Sequence, residues 1–416
     1  MRAAEQPSSR RLDRVTTRLV TATGVSAVGD GLADVALGLF ALSLTSDARL
    51  VTGVFVASRL PWLILGHTVA NAVDRVRRPA YFMLAADAAR ALLLVVTTVL
   101  VASGHANLPL LYVTALVIGT GEIAHSAAAQ VLLPVIASGD ALAKANGYIG
   151  ASLSAGYGIV GPALGGVIFG VGRALPFGAD AASFAASGAL LLPLRSVLVD
   201  PATDVATPDR ATPDATEPTA RAARPILGNP LLRVLLAQLL VLVFGQSMVL
   251  STLPIFGRAH LGLSSLVYGL VLGASAIGNV AGSMAAPRLW AGRRHTVALL
   301  LTSGLLTGGT YVVMATIRNL PVAIVMLTLE GVAIGVLNTV SPTLRMEHAP
   351  AATRARVATS FTQLIFIMQP VGAVVAGLVT SQYGVTAAFG LAGSLMILVM
   401  LLTDQALRRA VALVGA

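Results

Sequence analysis

The stretch Leu60–Arg90, LPWLILGHTVANAVDRVRRPAYFMLAADAAR, decides the fold. Apolar residues from Leu60 to Val73 run into Asp74, Arg75, Arg77 and Arg78, and a second apolar run opens at Ala80. The first run alone is too short for a hydrocarbon core of about 30 Å. Extended back to Val51 it reaches about 22 residues, which suffices. The charged burst is then a tight loop between two membrane helices.

Composition agrees. The 416 residues are 56% hydrophobic and 11% charged, with a mean hydropathy of +0.83. A soluble chain carries about 25% charged residues, so this is an integral membrane protein. The net charge of +10 is spread between apolar segments, which marks topology and not a nucleic-acid face. With no cysteine there are neither disulfides nor thiolate metal sites.

Segments of spanning length fall at 19–45, 50–73, 80–103, 109–136, 145–170 and 174–195, then at 231–256, 264–288, 295–317, 320–344, 356–381 and 384–404. The fold class expected is all-α, with twelve transmembrane helices in two six-helix bundles. Residues 1–18 form an N-terminal tail, 19–195 the first bundle, 196–230 a linker, 231–404 the second bundle and 405–416 a C-terminal tail. The linker, rich in Pro, Thr, Asp and Ala, cannot bury a core. The basic N-terminus leads into an apolar run too long for a signal-peptide core, so it reads as an uncleaved first span.

With the N-terminus inside, 22 Lys and Arg residues lie in cytoplasmic segments. Four lie outside (Arg49, Arg173, Arg258, Arg318) and two within helices (Arg59, Arg90). This skew predicts that both termini are cytoplasmic. The halves also repeat: an offset of 208 carries Glu122, Pro134 and Pro162 onto Glu330, Pro342 and Pro370, and Asp30 onto Gln238. Parallel six-helix repeats place a substrate at the midplane between them.

The LPW helix ending in Asp74-Arg75, the Arg78 that follows, and the next helix with Asp87 and Arg90 together resemble the loop signature of the major facilitator superfamily. Within it the chain is most similar to bacterial drug and siderophore (macrolide- and enterobactin-type) exporters. Ala70 and Arg77 stand where the family pattern has glycines, while Asp74, Arg75 and Arg78 keep its core. The resemblance implies a cytoplasmic latch in which Asp74 caps a neighbouring helix and the arginines pair with acids such as Asp87. In the second half Leu289 stands in place of the acid, so such a latch is one-sided. GYGIVGPALGG at 156–166, with Gly161, Pro162, Gly165 and Gly166, resembles the antiporter motif of these exporters. Its small residues allow close helix approach and its proline a bend.

A charge inside a membrane costs at least about 2.5–3.5 kcal/mol, so each one asks for a reason. Glu122 and Glu330 fall near mid-bilayer. A carboxyl taken out of water holds its proton to higher pH, which suits proton coupling. The structural alternative is a protonated carboxyl hydrogen-bonded between helices. His125, one turn after Glu122, can share its proton or meet substrate. Asp34 and Arg59 lie at similar depth on adjacent helices, so they read as an ion pair, structural or switching. Asp30 is one turn deeper on the same face as Asp34, a further proton site. Asp180 in helix 6 reads as a structural hydrogen-bonding group. The superfamily's helix-4 arginine is missing here.

No phosphate-binding loop, HExxH or nucleophile elbow occurs. The expectation is therefore no enzyme, no cofactor and no metal. The function expected is proton-coupled export of a small lipophilic or amphipathic compound (a drug, secondary metabolite or siderophore) by a monomer in a bacterial inner membrane. Its partners are that substrate, protons and the lipid bilayer, with no nucleic acid. A proton-coupled uptake symporter, or a non-transporting membrane binding or assembly protein, remains the alternative.

Overall fold

A computed structural model describes residues 12–199, 226–291, 295–349 and 354–414. All of its regular structure among these residues is helical. In lipid an unpaired backbone amide has no water to turn to, and helices satisfy their own. Among the described residues, twelve helices are long and apolar enough to cross a membrane. They are α1 Arg14–Leu44, α2 Ala48–Asp74, α3 Pro79–Ala102, α4 Leu108–Ile136, α5 Gly139–Val171, α6 Leu175–Ser196, α7 Pro230–Leu261, α8 Ser265–Leu289, α9 Thr296–Thr316, α10 Leu320–His348, α11 Arg354–Tyr383 and α12 Val385–Val414.

Side-chain caps set the starts of several helices. Asp13, Asp47, Asn107, Asn229, Ser264 and Asn319 each accept a hydrogen bond from a backbone N–H of the first turn, satisfying donors the helix leaves orphaned. Hydrogen bonds from Arg49 hold the exposed Asp47 carboxyl below the usual carboxylate range, so that cap stays ionised at neutral pH.

The first six helices pack among themselves, α2 on α4, α3 on α4 and α6, and α1 on α5 and α6. The second six repeat the scheme, α8 on α10, α9 on α10 and α12, and α7 on α11 and α12. Each half has its own apolar core, around Phe40, Phe177 and Phe184 in the first and Phe256, Tyr311 and Phe389 in the second. The halves meet along two seams, α2 with α11 and α5 with α8.

Three expectations change. Helix α12 runs to Val414, so the segment expected as a C-terminal tail is helical as far as Val414. Helix α1 begins at Arg14, inside the expected N-terminal tail. Most of the linker, 200–225, and part of the 8–9 loop, 292–294, lie outside the described residues. The third change concerns the repeat. Helices α4 and α10 begin at Leu108 and Leu320, 212 residues apart, each behind an Asn cap with a proline in the first turn. The 208 offset therefore slips the pairing by one turn. It aligned residue types, while the caps set the helices. Glu330 consequently lies one turn nearer the start of its helix than Glu122 does.

Candidate functional site

The two seams are close-packed towards one end of the molecule. A side chain at Gly170 would touch Leu266, and a Cβ on Gly166 would lie 2.6 Å from the Gly269 backbone nitrogen. On the other seam, a Cβ on Gly377 would lie 3.2 Å from Arg49 Cα. Arg258 Nη1 also donates to the Leu42 carbonyl at 3.2 Å. Gly158, on the cavity wall, has nothing within reach of an added Cβ. The splayed halves leave a central cavity of about 1160 Å³.

Helix α5 builds part of this shape. Pro162 has no N–H to give and its ring crowds the preceding turn, so the helix widens into a π turn at Gly156–Val160. Gly161 and Gly165 then let α5 lie on α1, where Cβ atoms would come within 2.6 Å of the Val28 carbonyl and 2.8 Å of the Leu32 carbonyl. Gly166 faces the other half. The motif's glycines thus serve two interfaces, one within the first bundle and one across the seam.

The π turn also aims Tyr157 into the cavity. Its hydroxyl donates to Asp34 Oδ2 and is met by Arg59 Nη2. Arg59 itself pairs with Asp34 at 2.8 Å, lies 3.9 Å from Glu122 Oε2, and covers the rings of Phe55 and Tyr157. Sequence depth placed Asp34 beside Arg59, and the structure brings them together. Glu122 completes the group through the Trp62 indole, which donates to its Oε2 at 3.3 Å. The Trp62 ring stacks on Phe366 of the other half, 4.3 Å away.

A second network lies deeper in the first bundle. Arg90, 1% exposed, pairs with Asp87 at 2.5 Å and Asp30 at 3.4 Å, with its guanidinium over Phe184. Asp87 also meets His125 Nδ1 at 3.1 Å and accepts from Ser187 at 2.7 Å. Ser26 reaches Asp30 at 3.5 Å. The resemblance had implied that Asp87 and Arg90 belong to the loop latch. They belong here instead. They sit nine and twelve residues into the membrane from Arg78, about 13–18 Å along the helix, and a buried charge must find its partner at its own depth. His125, expected beside Glu122, bonds Asp87. Asp180 is fully buried and accepts from Ser183 at 3.0 Å. At the loop itself, Asp74 ends α2, Arg75 and Arg78 are exposed, and Arg78 stands over Tyr81.

The second bundle contributes differently. Glu330, 5% exposed, accepts hydroxyl hydrogen bonds from Ser275 at 2.8 Å and Tyr311 at 3.0 Å. Around it the wall carries the amides Gln246, Asn279, Asn338 and Gln369. Among the described residues lining the cavity, the arginines and the histidine all come from the first half. Sequence reading missed Trp62, Tyr157, Tyr311, Ser275 and Ser187. Tyrosine within a glycine-rich stretch before a proline was the one available signal, for Tyr157.

Comparisons with known proteins agree with this architecture. A bacterial homologue of the human lysosomal transporter Spinster, solved in an inward-facing and unoccupied conformation, has TM-score 0.69 at 15% identity, covering 96% of this chain and 95% of that one. The nucleoside transporter NupG has TM-score 0.72 at 12% identity, with 94% and 98% covered. The human organic anion transporter MFSD10 (TETRAN) has TM-score 0.61 at 18% identity, with 95% and 100% covered. At these identities the likeness concerns the fold. Among curated proteins no sequence matches this one significantly. The sequence profile of the Major Facilitator Superfamily, however, matches residues 19–373. The chain belongs to the Major Facilitator Superfamily, a multi-pass membrane transporter and not an enzyme.

Proposed function

We propose that this transporter is a proton-coupled antiporter that exports a small lipophilic or amphipathic compound by alternating access. The observation that carries this reading is the central cavity: apolar over most of its wall, sealed at one end by backbone-close glycines, and holding carboxyls at mid-membrane. Apolar walls with a few placed polar groups suit an amphipathic ligand better than a sugar. With both termini in the cytoplasm of a bacterial inner membrane, as the Lys and Arg skew favours, the open end faces inward and collects substrate from the cell interior. The bacterial exporter resemblance of residues 60–90 and 156–166 supports the outward direction.

Glu122 is the proton carrier in this scheme. Asp34 is held by Arg59 and Tyr157, and Asp87 by three partners, whereas Glu122 has a long contact to Arg59 and one indole N–H. Asp30, Asp34, His125 and Glu330 tune or relay the charge. The Asp74, Arg75 and Arg78 loop latches the bundles when the cavity turns outward. Monomers suffice, since one chain encloses the whole cavity.

The reading is tested by expressing wild type or Glu122→Gln in an efflux-deficient bacterium and measuring sensitivity to a panel of lipophilic antibiotics and dyes. It expects resistance that disappears in the variant at equal membrane abundance. Resistance that survives moves the coupling site to Asp30 or Asp34. Increased sensitivity in the wild type would point to uptake and contradict the direction.

A further inference from the structure

The cavity is lopsided in charge. Asp30, Asp34, Glu122 and Glu330 line it against two arginines, Arg59 and Arg90, and one histidine, His125, which faces Asp87. Arg59 is committed first to Asp34, and Arg90 to Asp87, which stands just behind the wall. Each guanidinium thus serves two carboxylates, and the Arg59 cluster, with Asp34 and Glu122 on one cation, keeps acid in excess. The second half adds a further acid and amides, with no cation among the described lining residues. An anion entering this space meets carboxylates on both walls, while a cation meets them with little competition.

One carboxylate is placed to receive that cation. Glu122 is the most open acid of the Arg59 and Arg90 clusters, its side chain 29% exposed against 23% for Asp34, 9% for Asp30 and 1% for Asp87. Its contact to Arg59 is the longest in that cluster, at 3.9 Å. The Trp62 indole holds Oε2 from one side, leaving Oε1 for a ligand. The second half adds Gln369, whose buried side-chain oxygen has no hydrogen-bond partner among the described residues and lines the same cavity.

We infer that the cavity takes organic cations, amines or quaternary ammonium compounds with an apolar body, and seats the positive group at Glu122 with Trp62 beside it. This deepens the exporter reading and rests on its assignment of this cavity as the substrate site. A charge in a low-dielectric cavity interacts strongly with a fixed opposite charge. Cation and proton then compete for the same carboxylate, which would exchange one for the other.

Tetraphenylphosphonium and tetraphenylborate test this, because they share a shape and differ in sign. Binding of each to purified, detergent-solubilised protein is measured by calorimetry for the wild type, Glu122→Gln and Glu122→Asp. The expected result is phosphonium binding at least about tenfold tighter than borate (about 1.4 kcal/mol), weakened about tenfold or more in Glu122→Gln and kept within a few-fold in Glu122→Asp. Monodisperse elution of each variant shows that it is folded, and the Asp variant carries the test should the Gln variant fail to fold. Borate binding as tightly as phosphonium, an absence of phosphonium binding, or phosphonium binding unchanged by Glu122→Gln would overturn the assignment. The measurement needs no gradient, so it is independent of direction and coupling: cation binding without proton-driven transport would sink the antiporter reading and leave the cation site standing.

Discussion

Trp62 and Phe366 lie face to face across the two halves, ring centroids 4.3 Å apart and planes 3° from parallel. Trp62 stands on α2 and Phe366 on α11, so the pair bridges the α2–α11 seam. Because the indole also donates to Glu122, the charge state of Glu122 and the closure of this seam share one side chain.

Stacked aromatic pairs contribute about 0.5–1.5 kcal/mol beyond their buried area. Trp62→Ala should therefore shift the balance between open and closed seams about 2- to 12-fold, read as a change in spin-label distance populations between α2 and α11. Trp62→Phe keeps the stack and loses the N–H, so it should leave the distances near wild type while altering the pH dependence of transport. Equal effects from both substitutions would separate the stack from the carboxylate.

Arg59 is 11% exposed and holds Asp34, Tyr157 and, more loosely, Glu122. Removing one partner of a buried ion pair costs about 3–5 kcal/mol, since the other is left uncompensated. Arg59→Gln should lower thermal stability in detergent markedly, and Asp34→Asn added to it should recover part of the loss. A double-variant cycle checks this: additive losses would mean that the pair is not coupled.

The α5–α8 seam has room for hydrogen atoms and little else. Gly166→Leu should force the closed end apart, since its Cβ alone would press on the Gly269 backbone. Cysteine labelling at Leu266 should then become faster from the closed side. Gly158→Ala, which meets open space, should leave labelling unchanged.

In the second half, Tyr311→Phe removes one of two hydroxyl donors to the buried Glu330. An unsatisfied buried polar group costs about 1–3 kcal/mol, so melting should fall by several degrees. Glu330→Gln should restore part of that loss in the double variant. Full tolerance of Tyr311→Phe would place the Glu330 charge elsewhere in the mechanism.

The twelve helices were legible because membrane insertion writes length and charge directly into sequence. Residues 60–90 alone located a loop and two spans. The Asp34–Arg59 pair was legible from depth, since adjacent helices of known direction share a vertical scale. Asp87 and Arg90 were misplaced because the family resemblance carried the loop signature into α3, ahead of their depth along that helix. Tyr157 was legible only as a tyrosine in a glycine-rich stretch before a proline; its aim into the cavity was not, because no periodic reading anticipates the extra residue of the π turn at Gly156–Val160. The repeat was legible as six plus six but not in register. Glycine contacts, such as Gly119 on Ser58 and Gly331 on Ser275, keep the 212 spacing of the caps, and the glutamates do not follow it.

Proton coupling through Glu122 is the centre of the account. The direct measurement is made in proteoliposomes loaded with a pH-sensitive dye, with no membrane potential, on adding a lipophilic cation to one side. Proton movement opposite to the cation is expected, abolished in Glu122→Gln while the variant remains folded and inserted. Cation movement without proton movement, or proton movement that persists in Glu122→Gln, would contradict it.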